Sequence, residues 1–140
     1  LMHEVLQKVS NAKTKKEKIV LLKQLNSNAL RMILIINFDE SVVSLLPPGD
    51  VPYTPNDAPE GTEHTLLEKE ARLLHHFFKG GSNVSQNKRE SMFIQMLEGL
   101  NRGEAEALVL AKDKKIGKRW KITKACVSEA FPNIEWGGRS

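Results

Sequence analysis

The sequence has little of what usually builds a recognisable site. Only one of its 140 residues, Cys126, is a cysteine. A single thiol cannot close an internal disulfide or by itself make a zinc knuckle. Cys126 lies among Ile122, Ala125, Val127 and Ala130 with no histidine nearby, the setting of a core thiol rather than a nucleophile. The lack of disulfides fits a reducing compartment. Apolar runs such as Met32–Ile36 fall far short of the ~20 residues that cross a bilayer, so no membrane partner is expected. No charged-then-apolar leader runs into a small-residue cleavage site. The expected location is therefore the cytoplasm, that of the host if the chain is viral. Phosphate loops of the Gly-x-x-x-x-Gly-Lys-Ser/Thr form and Gly-x-Ser-x-Gly elbows are missing. The carboxylate pairs Glu68/Glu70 and Glu104/Glu106 are two residues apart and face different sides of a helix. His75 and His76 are adjacent, pointing about 100° apart on a helix, and His64 precedes that helix. The expectation is no catalytic residue, no metal and no cofactor.

What is present suits one globular domain, residues 1–140. The hydrophobic content of 40% supports a core, and 27% charged residues give a polar surface. The net charge of +4 is unevenly spread. Between Asp39 and Glu70, only Lys69 offsets Asp39, Glu40, Asp50, Asp57, Glu60, Glu63, Glu68 and Glu70. Between Lys112 and Lys124, only Asp113 offsets Lys112, Lys114, Lys115, Lys118, Arg119, Lys121 and Lys124. One face for a polyanion and one turned away from it would account for this; a solvated charge run is the plainer reading.

Periodicity predicts an all-α fold. Val5, Leu6 and Val9 mark a first helix. Thr14-Lys-Lys-Glu17 has the form of a capping box, predicting a helix from Lys15 to Leu25. Asn26-Ser27-Asn28 breaks the chain before Ala29–Ile36, which fits a central helix or a buried strand; a helix is preferred because no second strand is at hand to pair with it. Pro47, Pro48, Gly49, Pro52, Pro55 and Pro59 define a Pro-rich acidic loop over 47–64, since proline ends both helix and sheet. Further helices are expected at Thr65–Phe78, stopped by Lys79-Gly80-Gly81, and at Ser85–Leu100. Asn101-Arg-Gly-Glu104 reads as a second capping pattern, for a helix through Ala111. Residues Asp113–Lys118 are expected to turn, and Ile122–Phe131 to form the last helix. Met92 and Met96 read as core.

Two segments stand above this background. In the first, Gly80 and Gly81 allow close backbone approach, and Ser82, Asn83, Ser85 and Gln86 supply neutral donors. Lys79, Lys88 and Arg89 add charge beside a helix start whose free N–H groups suit a phosphate. The plain alternative is an ordinary capped helix. The second repeats the design with Lys114, Lys115, Gly117, Lys118, Arg119, Lys121, Thr123 and Lys124. Two such starts would hold a duplex by its phosphates without reading bases. Trp120 fits core packing better than stacking on a sugar.

These segments resemble the N-terminal DNA-binding domain of ATP-dependent DNA ligases. The family's Gly-Ser-x-x-Ser-Gln-x-Lys-like stretch is matched by Gly81-Ser82-Asn83-Val84-Ser85-Gln86-Asn87-Lys88, and its leucine-rich helix by Met96–Leu100. Glu106-Ala107-Leu108, Asp113-Lys114-Lys115-Ile116-Gly117 and Glu129-Ala130-Phe131 follow in the family's order. Lys16–Leu22 and Leu46-Pro47-Pro48 extend the likeness forward more weakly. The Ala/Leu-rich helix is short, and basic residues replace the family's small or polar ones after Gly117. The resemblance implies a helical domain on the minor groove and phosphates of a nicked duplex. The ligases' Lys-x-Asp-Gly motif is missing here.

The leading expectation is a non-catalytic, sequence-independent binder of double-stranded DNA, nicked or intact, of a size that suits a phage accessory protein. The alternative is a protein-interaction module whose acidic Pro-rich segment docks a replication, repair or transcription protein. A remnant of an enzyme is the third.

Overall fold

The computed structural model describes residues 1–56, 63 and 65–139. Among them the chain is helical, with no strand beyond one isolated bridge, Ser44 to Phe78. Asp57, Pro59, Glu60 and His64, parts of the predicted acidic loop, lie outside the described residues.

Helix α1 spans Met2–Asn11 and buries Met2, Leu6 and Val9, a spacing that gives one apolar stripe. Helix α2, Lys15–Gln24, is capped by Thr14, whose hydroxyl accepts from Glu17 N at 3.1 Å. The Glu17 carboxylate reaches past the cap to Lys13 N. Helix α3, Asn28–Phe38, is capped by Ser27 and buries Ala29, Leu30, Ile33, Leu34 and Ile36, so the central segment is helix rather than strand. After α3, residues 47–56 run without helix or strand.

The predicted Thr65–Phe78 helix takes another form. One α turn, α4 at Leu67–Glu70, passes into a 3₁₀ helix over Ala71–Phe77. Leu67, Ala71, Leu74 and Phe77 are its buried residues, and three of them are spaced by three. Three residues per turn puts Ala71, Leu74 and Phe77 on one line, where an α helix would fan them over a broader face.

Helix α5, Gln86–Gly99, starts at the Ser85 cap; helix α6, Arg102–Lys112, at Asn101. Instead of a continuous turn, a short helix α7 covers Ile116–Arg119, and α8 covers Lys124–Ala130 behind the Thr123 cap. Helix α6 is the hub, packing on α1, α3, α5 and α7, while α2 packs on α1 and α8. Ala105, Ala107 and Ala111 keep its faces low enough for neighbours on several sides.

The second capping pattern is realised at Asn101 but not at Glu104. Asn101 caps α6 through Gly103 N at 2.8 Å, but Glu104 is buried and looks elsewhere. Its carboxylate accepts from Met2 N at 2.7 Å and Leu67 N at 3.0 Å, the first residues of α1 and α4. Helix starts leave N–H groups without intrahelical partners, and one buried carboxylate answers two of them.

Candidate nucleic-acid interface

The Lys79–Arg89 segment is mostly occupied with its own fold. Lys79 N donates to Val43 O at 2.8 Å, and Leu45 N to Phe77 O at 2.9 Å, tying the segment to the stretch after α3. Gly80 sits at φ +84°, where a side chain would be strained. Gly81 is required for another reason: a Cβ there would overlap the His75 carbonyl. Ser82 Oγ accepts from Val84 N, and Ser85 Oγ from Lys88 N. Gln86 Nε2 donates to Leu45 O at 2.8 Å and to Glu90 at 3.0 Å. Arg89 is only 7% exposed and donates to His76 O at 2.9 Å, Gln86 Oε1 at 2.6 Å and Val84 O at 3.1 Å. The role expected of Arg89, a phosphate contact, is therefore corrected: it is a buried clamp on three groups of its own chain. Of this segment's cations, Lys79 and Lys88 stay exposed, with no ion pair among the described residues.

The second segment divides in two. The charged groups of its first half are spent on the fold, though only Lys112 is buried. Lys112, with a fully buried side chain, donates to Pro47 O at 3.1 Å, Gly49 O at 2.9 Å and the Asp113 carboxylate at 2.9 Å. Asp113 in turn accepts from Gly49 N at 2.9 Å. Lys114 stands at φ +59°, in the C′ position of a Schellman end: Lys115 N reaches Leu110 O, and Lys114 N reaches Ala111 O. A glycine is usual there. Here the Lys114 ammonium crosses to Ile36 O and Asp39 O, 2.7 Å each, and satisfies the end of α3. Burial pulls the Lys114 amine below its usual range, against the pull of Asp39 and Glu40. Lys114, expected at a phosphate, is thus corrected to a cap on the end of α3, although the residue stays exposed. Asn37 completes the junction, accepting from Ile116 N at 2.9 Å.

The second half faces outward. Lys115, Lys118, Lys121 and Lys124 are exposed. Arg119 is half exposed, paired with Glu106 at 2.7 Å and lying 5.0 Å over the Trp120 ring. Trp120 itself is 2% exposed, with its N–H on Gln7 Oε1, so it packs in the core. Thr123 is spent as the α8 cap, accepting from Cys126 N at 3.2 Å. Gly117 has no steric need to be glycine, since a Cβ there would make only an ordinary 3.7 Å contact with Ile122 O.

The fold adds cations that the sequence reading passed over. Lys18 Nζ donates to Lys121 O at 2.5 Å, Lys121 N donates to Ser10 Oγ at 2.8 Å, and Lys15 pairs with Glu129 at 3.2 Å. These bonds lay α2 against the α7–α8 junction, so Lys15 and Lys18 join Lys121 and Lys124 there, with Lys16 exposed on the same helix. The signal was visible as Lys13-Thr-Lys-Lys-Glu-Lys18, a basic run that also serves as a helix start. The two expected helix starts have different neighbours: that of α5 leans on Leu45, that of α8 on the Ser10–Lys18 side.

Among the described residues no group of three or more His, Cys, Asp or Glu is placed to hold a metal ion, and no helix is long and apolar enough to cross a membrane. Residues 5–118 match DUF6433, described as a family of unknown function. No curated protein and no solved structure matches the chain.

Proposed function

The chain belongs to the DUF6433 family, and we propose that it is a non-catalytic module binding double-stranded DNA by its phosphates, similar in role to the DNA-binding domain of ATP-dependent ligases. The observation that carries this reading is the junction of α2 with the α7–α8 segment. It gathers Lys15, which is paired with Glu129, together with Lys18, Lys121 and Lys124, from stretches some hundred residues apart in sequence. Lysines on such a face displace the counterions condensed on a duplex. Aromatic platforms, the usual means of gripping single strands, are not offered beside it: Trp120 is buried, and Trp136 is half-buried with Lys124 5.0 Å over its ring. The grip is narrower than two equivalent helix starts, because Arg89, Gln86 and Lys114 are committed internally.

The rival reading, a partner docked on the acidic Pro-rich segment, is weakened over residues 47–56. That strap is fastened by Lys112, by Asp113 and by Glu98, which accepts from Thr54 N at 2.8 Å. Titrating a labelled duplex at several salt concentrations tests the proposal. With ~4–6 phosphates contacted, log affinity should fall with log salt at a slope near −0.9 per contact. Scrambling the base sequence should change little. A flat salt response would overturn the reading.

A further inference from the structure

The far end of α8 and the tail that follows it bound a concavity of about 580 Å³. Its size lies within the range of small-ligand pockets. Ile35, Phe131, Pro132 and Ile134 give it an apolar floor, and two guanidinium groups, Arg31 and Arg139, reach it from separate elements. Both are already oriented. Arg31 Nη1 donates to Asn26 Oδ1; Arg139 is held by Asp39 Oδ2 at 2.9 Å and by Glu135 O at 2.7 Å. Each guanidinium carries five N–H groups. Arg31 spends one of them on Asn26 and Arg139 one on Glu135 O, with Arg139 Nε also in an ion pair with Asp39, among the described residues. What remains is more than one carboxylate can accept. Arg139 is paired with Asp39; Arg31 forms no ion pair among the described residues, and neither does Glu135, an acidic residue that also lines the site.

We propose that this concavity binds an organic phosphate whose phosphate sits on Arg31 and Arg139 and whose planar or apolar body lies on the Phe131 and Ile134 floor. Fixed guanidinium forks match phosphate oxygens in pairs and lose little freedom on binding. The floor adds affinity only for a ligand with apolar surface to cover it. A nucleoside monophosphate has both parts, whereas a sugar phosphate has the anion alone and a nucleoside the body alone.

Calorimetric titration of the full chain tests this with adenosine monophosphate, adenosine, ribose 5-phosphate and inorganic phosphate at fixed ionic strength. Adenosine monophosphate should bind, and each of the other three at least about tenfold more weakly, the worth of one charged hydrogen bond or of the buried body. Arg31→Gln should cost at least about tenfold, and Arg31→Lys should recover part of it, because the charge returns without the fork. Circular dichroism of both variants separates a lost site from a lost fold; should Arg31→Gln unfold, Arg31→Lys against the parent carries the comparison. No binding of adenosine monophosphate, equal binding of ribose 5-phosphate, or an affinity unmoved by a folded Arg31 variant would each overturn the proposal. Duplex binding by the lysine face is read separately in the same variants and is expected to persist.

Discussion

Lys112 carries its ammonium into a ring of oxygens: Pro47 O, Gly49 O and the Asp113 carboxylate all lie within 3.1 Å. Lys112→Met keeps much of the stem's packing but leaves Asp113 without its cation and two carbonyls without a donor. Breaking a buried pair from one side costs about 3–5 kcal/mol, and a urea midpoint should fall accordingly; a loss under about 1 kcal/mol would show that the strap is held otherwise. Asp39 gives a pH signature. Burial alone would raise its carboxyl, but bonds from Ser41 and Gly137, with Arg139 beside it, hold it below 3.8. A lowered folded value means the stabilisation is full above 3.8 and drains away as pH falls through the folded value. Melting temperature should therefore drop on acidification below that point. In Asp39→Asn the drop should be smaller, and an unchanged acid limb would reject this assignment.

At the scale of elements, apolar spacing together with caps was enough to find α1, α2, α5, α6 and α8, while α3, apolar on most sides, was separated from a strand only by the lack of a partner strand; four of these six begin at a Ser or Thr cap visible in sequence. The 3₁₀ stretch was not legible, since Leu67, Ala71, Leu74 and Phe77 fit an α pattern nearly as well and only packing selects the tighter winding. Glu104, Arg89 and Lys114 misled for one shared reason. A charged residue in a local motif reads as capping or binding, while partners that settle its role lie outside the motif: Met2 and Ile36 for Glu104 and Lys114, and His76, with Val84 and Gln86 nearer by, for Arg89. The Lys15–Lys18 contribution was hidden for the converse reason, because nothing local says that α2 meets α8. The pairing of α2 with α8 gives a graded expectation for DNA binding. Lys18→Ala and Lys121→Ala, on the joint face, should each weaken it and lower the salt slope by about 0.9. Lys88→Ala, at the start of α5, should do less, and Glu63→Ala nothing. Equal effects of Lys88 and Lys18, measured at one salt concentration, would restore the two-helix-start geometry.

Across the whole molecule, the lysines fall into two populations with different chemistry, and that division is testable without knowing any partner in advance. Lys112 has no exposed side chain, and Lys114 donates to two backbone carbonyls at 2.7 Å. Lys114 has the depressed amine that acylation or adenylation would favour, but a nitrogen donating to carbonyls on two sides has no lone pair directed at a substrate. Incubation with labelled ATP should accordingly leave no covalent adenylate on a denaturing gel. Brief acetylation of the free protein, read by mass spectrometry, should modify Lys15, Lys16, Lys118, Lys121 and Lys124 quickly, Lys18 and Lys114, whose ammonium groups are bonded to backbone carbonyls, more slowly, and the buried Lys112 slowest. Adding duplex DNA at low salt should then protect a connected subset, Lys15 to Lys18 with Lys121 and Lys124, and leave Lys69 as reactive as before. Lys69 is exposed on α4, in the acidic stretch, and serves as the internal standard. Uniform slowing of every exposed lysine would indicate a diffuse ion atmosphere rather than a face. Protection centred on Lys79 and Lys88 would move the DNA to the other side of the bundle, where the Gly80–Gly81 turn stands.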